Sequence, residues 1–161
     1  MSLIKIMFKK PKRAQFALNY LWPAWWFTGI KITHISDDFK QISVRMKLRF
    51  YNINYVGTQF GGNLFAMTDP FYMLMILKNV DSHFIVWDKA ATIEFLSPGK
   101  STVYAQFQIT DDDLHEITQG SLQSKSYTKT FETRVVNSHQ KVIAKINKTI
   151  YIRQKKIKAD H

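Results

Sequence analysis

From Tyr55 to Leu77 the chain runs for 23 residues without a lysine or arginine, although its net charge is +11. No other feature narrows the fold as much, because so apolar a stretch must be covered by lipid or by the rest of the chain. A membrane span needs about 20 predominantly apolar residues. This stretch contains Thr58, Gln59, Asn63, Thr68, Asp69 and Pro70, and an aspartate at the bilayer centre costs roughly 2.5–3.5 kcal/mol on insertion scales. The earlier run LNYLWPAWWFTGI is too short to span and has a proline inside it. Phosphate loops fit no better. A Walker loop needs Lys and Ser/Thr after its glycines, and a dinucleotide fingerprint needs G-x-G-x-x-G. Here the glycines stand at 57, 61 and 62 without either pattern. The stretch therefore reads as a loop that turns into an apolar helix at Gly61–Gly62 and packs inside a domain.

The remainder of the chain alternates with period two, as half-buried strands do. Ile30, Ile32 and Ile35, then Ile42, Val44, Met46 and Leu48, flank a turn at SDDF and predict a hairpin. HFIVWDKAATIEFLSPG is rich in β-branched and aromatic residues and ends in Pro-Gly. In STVYAQFQIT, Val103, Ala105, Phe107 and Ile109 share one face. A second hairpin turns at NSHQ in the last thirty residues. Two further helices are expected. PKRAQFALNYLWPAWW places Phe16, Leu18, Leu21 and Trp22 on one side before Pro23 stops it, and DDDLHEITQGS has acids in its first turn and a glycine at its end. No βαβα alternation occurs, which disfavours a doubly wound nucleotide fold. The expected class is α+β, with one long apolar helix on a largely antiparallel sheet. At 161 residues one domain spanning 1–161 is expected, since domains commonly run to about 100–200 residues.

Composition removes whole classes of function. With 45% hydrophobic and 14% aromatic residues the chain has material for a core. It has no cysteine, which excludes disulfides, thiolate metal sites and cysteine nucleophiles. Nine of the basic residues lie in two ends, 1–13 and 153–161, so the body is nearly neutral. A nucleic-acid-binding domain more often spreads its cations over a face, and these ends read first as solvated termini. MSLIKIMFKKPKRAQ has an apolar start followed by basic residues, the reverse of a secretory signal, and a cytoplasmic location is expected.

The glycine segment also carries candidate chemistry. Glycines admit close approach to the backbone, and the first N–H groups of a helix are unpartnered at the positive end of its dipole. Gly61 and Gly62 so placed would suit a carbonyl gaining negative charge. Asp69 follows two helical turns later, among the core candidates Leu64, Met67, Phe71, Leu74 and Met75. Two roles are open to it: a working carboxylate near an apolar interface, or the cap of a helix starting at Pro70.

The blocks NYVGTQFGGNLFAMTDP (54–70) and VWDKAATIEFLSPG (86–99) resemble known motifs. N-x5-F-G-G-x-L-x-A-x-x-D is similar to the N…H-G-G-x-(I/L)-x-x-L-x-D motif of hotdog-fold acyl-CoA thioesterases, the PaaI-like group. IEFLSPGKSTVYAQFQI resembles that family's strand ending in FLRP. The chain looks closer still to a hotdog branch reading NYVGT-x-FGG-x-L-x-A-x-x-DP. The resemblance covers roughly residues 20–153. It implies a hotdog fold, a sheet wrapped around one long helix, in a homodimer or homotetramer whose active site lies between subunits. On the matching positions, Asp69 is the catalytic carboxylate, Gly62 the N–H that polarises a thioester carbonyl, and Asn54 the amide that helps hold the water or carbonyl. Gly61, Gln59 and Phe60 line the substrate position, and Phe60 replaces the family's histidine, with Gln59 as a compensating polar contact.

The implied activity is hydrolysis of an acyl-CoA or acyl-carrier thioester, with coenzyme A entering as part of the substrate and no other cofactor. The replaced histidine leaves open a non-catalytic acyl-binding protein. A 3-hydroxyacyl dehydratase ranks lower, because no histidine lies between His34 and His83, and a nucleic-acid or membrane-surface binder would rest only on the basic ends. Lys89 could meet coenzyme A phosphates at a pocket mouth, although Asp88 and Lys89 read more simply as a surface or edge ion pair. The histidines at 34, 83, 115, 139 and 161 show no ligand spacing, so neither a metal site nor a Ser-His-Asp set is expected. Trp22, Trp25, Trp26 and Phe27 read as core or dimer surface, with a lid over an acyl tunnel or an interfacial membrane contact as the lesser reading.

Overall fold

Alternation along the strands translates directly into a buried face. In the computed structural model, which describes residues 8–155, Ile30, Ile32 and Ile35 of β1 (Ile30–Ile35) are buried, as are Ile42, Val44 and Met46 of β2 (Gln41–Met46). The step of three between Ile32 and Ile35 is a bulge in the β1–β2 pairing, which restores the phase of the apolar face. Leu48 lies past the end of β2 and is only partly buried. β3 (Phe84–Phe95), β4 (Val103–Gln108), β5 (Tyr127–Asn137) and β6 (Val142–Gln154) complete one antiparallel sheet in the order β1-β2-β4-β5-β6-β3. The β5–β6 turn is closed by Asn137, whose Oδ1 accepts from the amides of His139 and Lys141 at 2.9 and 3.0 Å. Of the residues in the basic ends, Lys5, Lys156 and Lys158 lie outside the described region, as does His161.

The apolar helix is present in two segments, α2 (Gly61–Ala66) and α3 (Phe71–Asn79). Pro70 explains the interruption, since it has no N–H to continue the ladder. The five core candidates around Asp69 are all buried. An aromatic chain fastens α3 to the buried face of the sheet: Trp25 to Phe71 at 5.8 Å, Phe71 to Phe107 at 4.7 Å, Phe107 to Tyr72 at 5.4 Å, and Tyr72 stacked on Phe131 at 4.5 Å. Burial pushes the Tyr72 phenol up to about 12, and its hydroxyl donates to the Glu132 carbonyl. A last helix, α4 (Asp111–Gln123), carries a capping box between Thr110 and Asp113. It runs past Gly120, which lies inside it; a Cβ at 120 would collide with the Tyr127 ring.

The N-terminal helix differs from its expected orientation. α1 (Pro11–Phe16) continues through a wider turn at Ala17–Leu21 and stops before Pro23, but its buried residues are Ala14, Ala17 and Leu18, whereas Phe16 and Leu21 are half exposed and Trp22 is more than a third exposed. The cause is the free edge of β1. Asn19 Oδ1 accepts from the Ile32 N–H at 2.8 Å, and the Asn19 and Gln15 amides both donate to the Ile32 carbonyl, at 2.9 and 3.0 Å. Thr28 Oγ1 accepts from Ile30 N–H. Small alanines let the helix approach closely enough for these bonds, which satisfy an edge otherwise open to other chains. Asn19→Leu should therefore cost about 1–3 kcal/mol, read as a lower thermal midpoint; an unchanged midpoint would mean the edge is satisfied in another way. Among the described residues no helix is long and apolar enough to cross a membrane.

Candidate functional site

One residue breaks the inward alternation of β6. Between Ile146 and Ile150 stands Lys148, only 3% exposed. A buried ammonium must be paired, and two carboxylates meet it: Asp69 Oδ1 at 2.6 Å and Asp88 Oδ2 at 3.2 Å. Asp88 lies opposite Ile150 across the β3–β6 ladder, a diagonal neighbour of Lys148 on the same face. A bulge at Lys89 shifts the register after Asp88. Lys89 itself is exposed there. Asp88 thus pairs with Lys148, not in a surface pair with its neighbour. Burial holds its carboxyl above the usual range despite the Lys148 charge, and its Oδ1 is enclosed without a hydrogen-bond partner.

Asp69 is presented by the break between α2 and α3. Thr68 turns back onto the Phe65 carbonyl through both its amide and its hydroxyl, and Pro70 forms the N-terminal boundary of α3. No side chain caps that helix; Asp69 reaches Lys148 instead, so the capping role is not the one it has. Its side chain is 53% exposed, and Oδ2 makes no hydrogen bond to a described residue.

Beside Asp69 opens a cleft of about 590 Å³. Leu18, Trp22, Ala24 and Trp25 form one wall, Phe65, Ala66, Pro70, Met73 and Leu74 the other, and Asp69 is the only ionisable lining residue among the described residues. Trp25 belongs to the core at 8% exposure, and Trp22 lines the cleft, while Trp26 and Phe27 are exposed. The aromatic group thus divides between core, cleft wall and surface.

The glycine loop builds a second, separate cleft. Asn54, Thr58, Gln59 and Gly61 face Phe95, Leu96, Pro98 and Gly99 around about 370 Å³. The Asn54 side chain closes its own loop, accepting from the Thr58 N–H and donating to Thr58 Oγ1, each at 2.9 Å. Gln59 is 2% exposed and donates to the Ser101 carbonyl at 3.1 Å, leaving its Oε1 enclosed and unpartnered. The glycine pair has an internal reason to lack side chains: a Cβ on Gly62 would fall 2.5 Å from Phe60 Cε1, and one on Gly61 would fall 3.0 Å from Phe95 Cζ. Neither glycine N–H donates to a described residue. Phe60 is half exposed.

Within one chain, then, Asn54, Gln59 and Gly61 share one cleft, Asp69 lines another, and Lys89 stands apart on a bulge. Lys148 was not among the expected site residues, yet a lysine in phase with Ile146, Ile150 and Ile152 is visible in the sequence. Among the described residues no three His, Asp or Glu side chains cluster closely enough to share a metal ion.

Comparison with solved structures identifies the architecture. A Pseudomonas aeruginosa protein of unknown function, described as a probable thioesterase, superposes with a TM-score of 0.80 at 16% identity, covering 89% of this chain and 95% of that one. A Haemophilus influenzae thioesterase gives 0.63 at 14% identity over 91% and 94%. The Escherichia coli PaaI protein from the phenylacetic acid degradation operon gives 0.57 at 22% identity over 80% and 82%. These likenesses establish a thioesterase-like hotdog fold. No curated protein matches the chain significantly in sequence. The model of one family, described as domain of unknown function DUF4442, matches residues 12–152, and the chain belongs to that family.

Proposed function

We propose that the protein hydrolyses acyl thioesters, with Asp69 as general base and the apolar cleft as the acyl site. The observation that carries this reading is a single carboxylate at the rim of an otherwise apolar cleft, gripped at one oxygen by a buried lysine. The Lys148 ammonium orients Oδ1, and Oδ2 is left to take a proton from water. The water oxygen attacks the thioester carbonyl carbon, and a glycine-pair N–H stabilises the oxyanion. The C–S bond then breaks, and the departing sulfur takes the proton from Asp69. Coenzyme A or a carrier protein supplies the thiol.

Asp69 and the Asn54–Gly61 cleft do not meet in one chain, which supports a site completed by a second copy. Apart from the Phe84 N–H, which donates to the Asp81 carbonyl, the outward backbone groups of β3, the edge strand opposite β1, make no hydrogen bond to a described residue, so pairing along the rest of that strand is open. A second reading, acyl binding without turnover, is favoured by one observation: the Phe60 ring lies against Gly62 where the resembling family has a histidine.

Free-thiol release from short-chain, long-chain and aromatic acyl-CoAs by wild type and Asp69→Asn tests both. Release that depends on Asp69 supports hydrolysis; acyl-CoA bound without release supports the second reading. Ala66 lines the cleft, so Ala66→Phe should shift preference towards shorter chains, with the long-chain KM rising about tenfold as apolar contact is lost. An unaltered chain-length profile would place the acyl group elsewhere.

A further inference from the structure

A third cleft, of about 430 Å³, lies on the other side of Trp25 and has the opposite chemistry. Lys31, Arg45, Lys47 and Arg49 line it, and among the described residues no carboxylate does. Lys31 and Arg45 stand directly opposite each other in the β1–β2 ladder, and like charges in that relation are destabilising. None of the four forms an ion pair with a described residue. By contrast, three buried or half-buried cations of the sheet are matched: Lys129 and Lys148 each hold two carboxylates, and Lys145 holds one. Arg45 Nε is also enclosed without an acceptor, and an unmade charged hydrogen bond is costly. In a body that is otherwise nearly neutral, so concentrated a charge calls for an anion.

Aromatic rings narrow the anion. Lys31 donates to the Asn19 carbonyl at 2.7 Å and sits 4.1 Å from the Tyr20 ring centroid, so its position and that ring are already engaged. Trp26 and Tyr51 line the same cleft and are 59% and 46% exposed. Arg45, Lys47 and Arg49 can meet two or more phosphate groups, and exposed rings beside them offer stacking surface for a planar base. The cleft is concave and of the size of a small-molecule site, which suits a mononucleotide better than a membrane face.

We infer that this cleft binds a phosphorylated nucleotide, its phosphates on Arg45, Lys47 and Arg49 and its base against Trp26 and Tyr51. Such a ligand can come free in solution or as the nucleotide end of a coenzyme A thioester. The inference concerns binding alone and stands whether or not Asp69 hydrolyses anything.

Titration calorimetry of the full chain with adenosine 3′,5′-bisphosphate, coenzyme A and inorganic pyrophosphate tests it. Wild type should bind the bisphosphate, and Lys47→Gln/Arg49→Gln should bind it about a hundredfold more weakly. Trp26→Ala should weaken the bisphosphate about tenfold and leave pyrophosphate unchanged. The double variant should melt no lower than wild type without ligand, since it relieves repulsion; this separates lost binding from lost fold. Competition by coenzyme A would identify the substrate as the source, and its absence a free nucleotide. The inference is overturned if the bisphosphate does not bind, if binding survives the double variant, if Trp26→Ala leaves it unchanged, or if single-stranded RNA binds where mononucleotides do not.

Discussion

Lys148→Met is expected to lower the thermal midpoint by about 5–10 °C at pH 8. Breaking a buried ion pair from one side commonly costs about 3–5 kcal/mol, because the remaining charge is stranded. Here Asp69 is half exposed and can be hydrated, whereas Asp88 is largely enclosed, so about 2–3 kcal/mol is the appropriate scale. For a chain of this size each kcal/mol moves the midpoint by roughly 2–4 °C. The loss should depend on pH. Burial holds the Asp88 carboxyl above its ordinary range in the folded protein. A group raised on folding contributes its stability in full at low pH and loses it as pH rises through the folded value. Removing Lys148 raises Asp88 further, so the deficit should shrink as pH falls and grow as it rises towards pH 8. Lys148→Met/Asp88→Asn should recover much of the stability at pH 8, since no charge is then left enclosed. Equal melting of Lys148→Met and wild type across this pH range would mean that the lysine is not paired as described.

Asp69→Asn is expected to do the reverse: turnover should fall by about 10²–10⁴, the usual weight of a general base, with little change in melting. Asparagine keeps the size of the side chain and can still accept from Lys148 through its carbonyl oxygen, while Asp88 continues to neutralise the ammonium. Exposure of the site limits any structural cost. Measuring kcat and the melting curve on the same preparation separates this variant from Lys148→Met, in which stability falls as well. Full activity in Asp69→Asn would remove the carboxylate from the reaction.

Period-two strands carried most of the fold into view. Val103, Ala105, Phe107 and Ile109 are buried as their spacing requires, and the acids of DDDLHEITQGS begin a capped helix. The orientation of α1 was not legible, because Phe16 and Leu21 outweigh two alanines in any local count of hydrophobicity. Only the hydrogen-bonding demand of β1 at Ile32, thirteen residues away from Asn19, turns the small side inward. The ion pairs were hidden for a related reason. Asp69, Asp88 and Lys148 come from three elements, and a bulge at Lys89 intervenes in the pairing of the two strands. Pattern within a strand could mark Lys148 as out of place among isoleucines, but not say which acids answer it. The glycine pair shows how much a local pattern leaves unsaid: the absence of Cβ marks a close approach, and within one chain the groups nearest a Cβ there are the rings of Phe60 and Phe95.

The two borders of the sheet are unequal, and this bears on how copies of the chain can join. On β1, side chains of Asn19, Gln15 and Thr28 already occupy the backbone groups at Ile30 and Ile32; on β3 the outward groups beyond Phe84 are unclaimed among the described residues. A sheet that can accept a neighbour on one side only cannot propagate. Two copies that met β3 to β3 would exhaust each other's valence and present blocked borders outward, so growth would end at a symmetric pair instead of a fibre. A side chain of residue 19 that no longer mimics a strand would give the molecule a second valence, and with it a route to open-ended polymers.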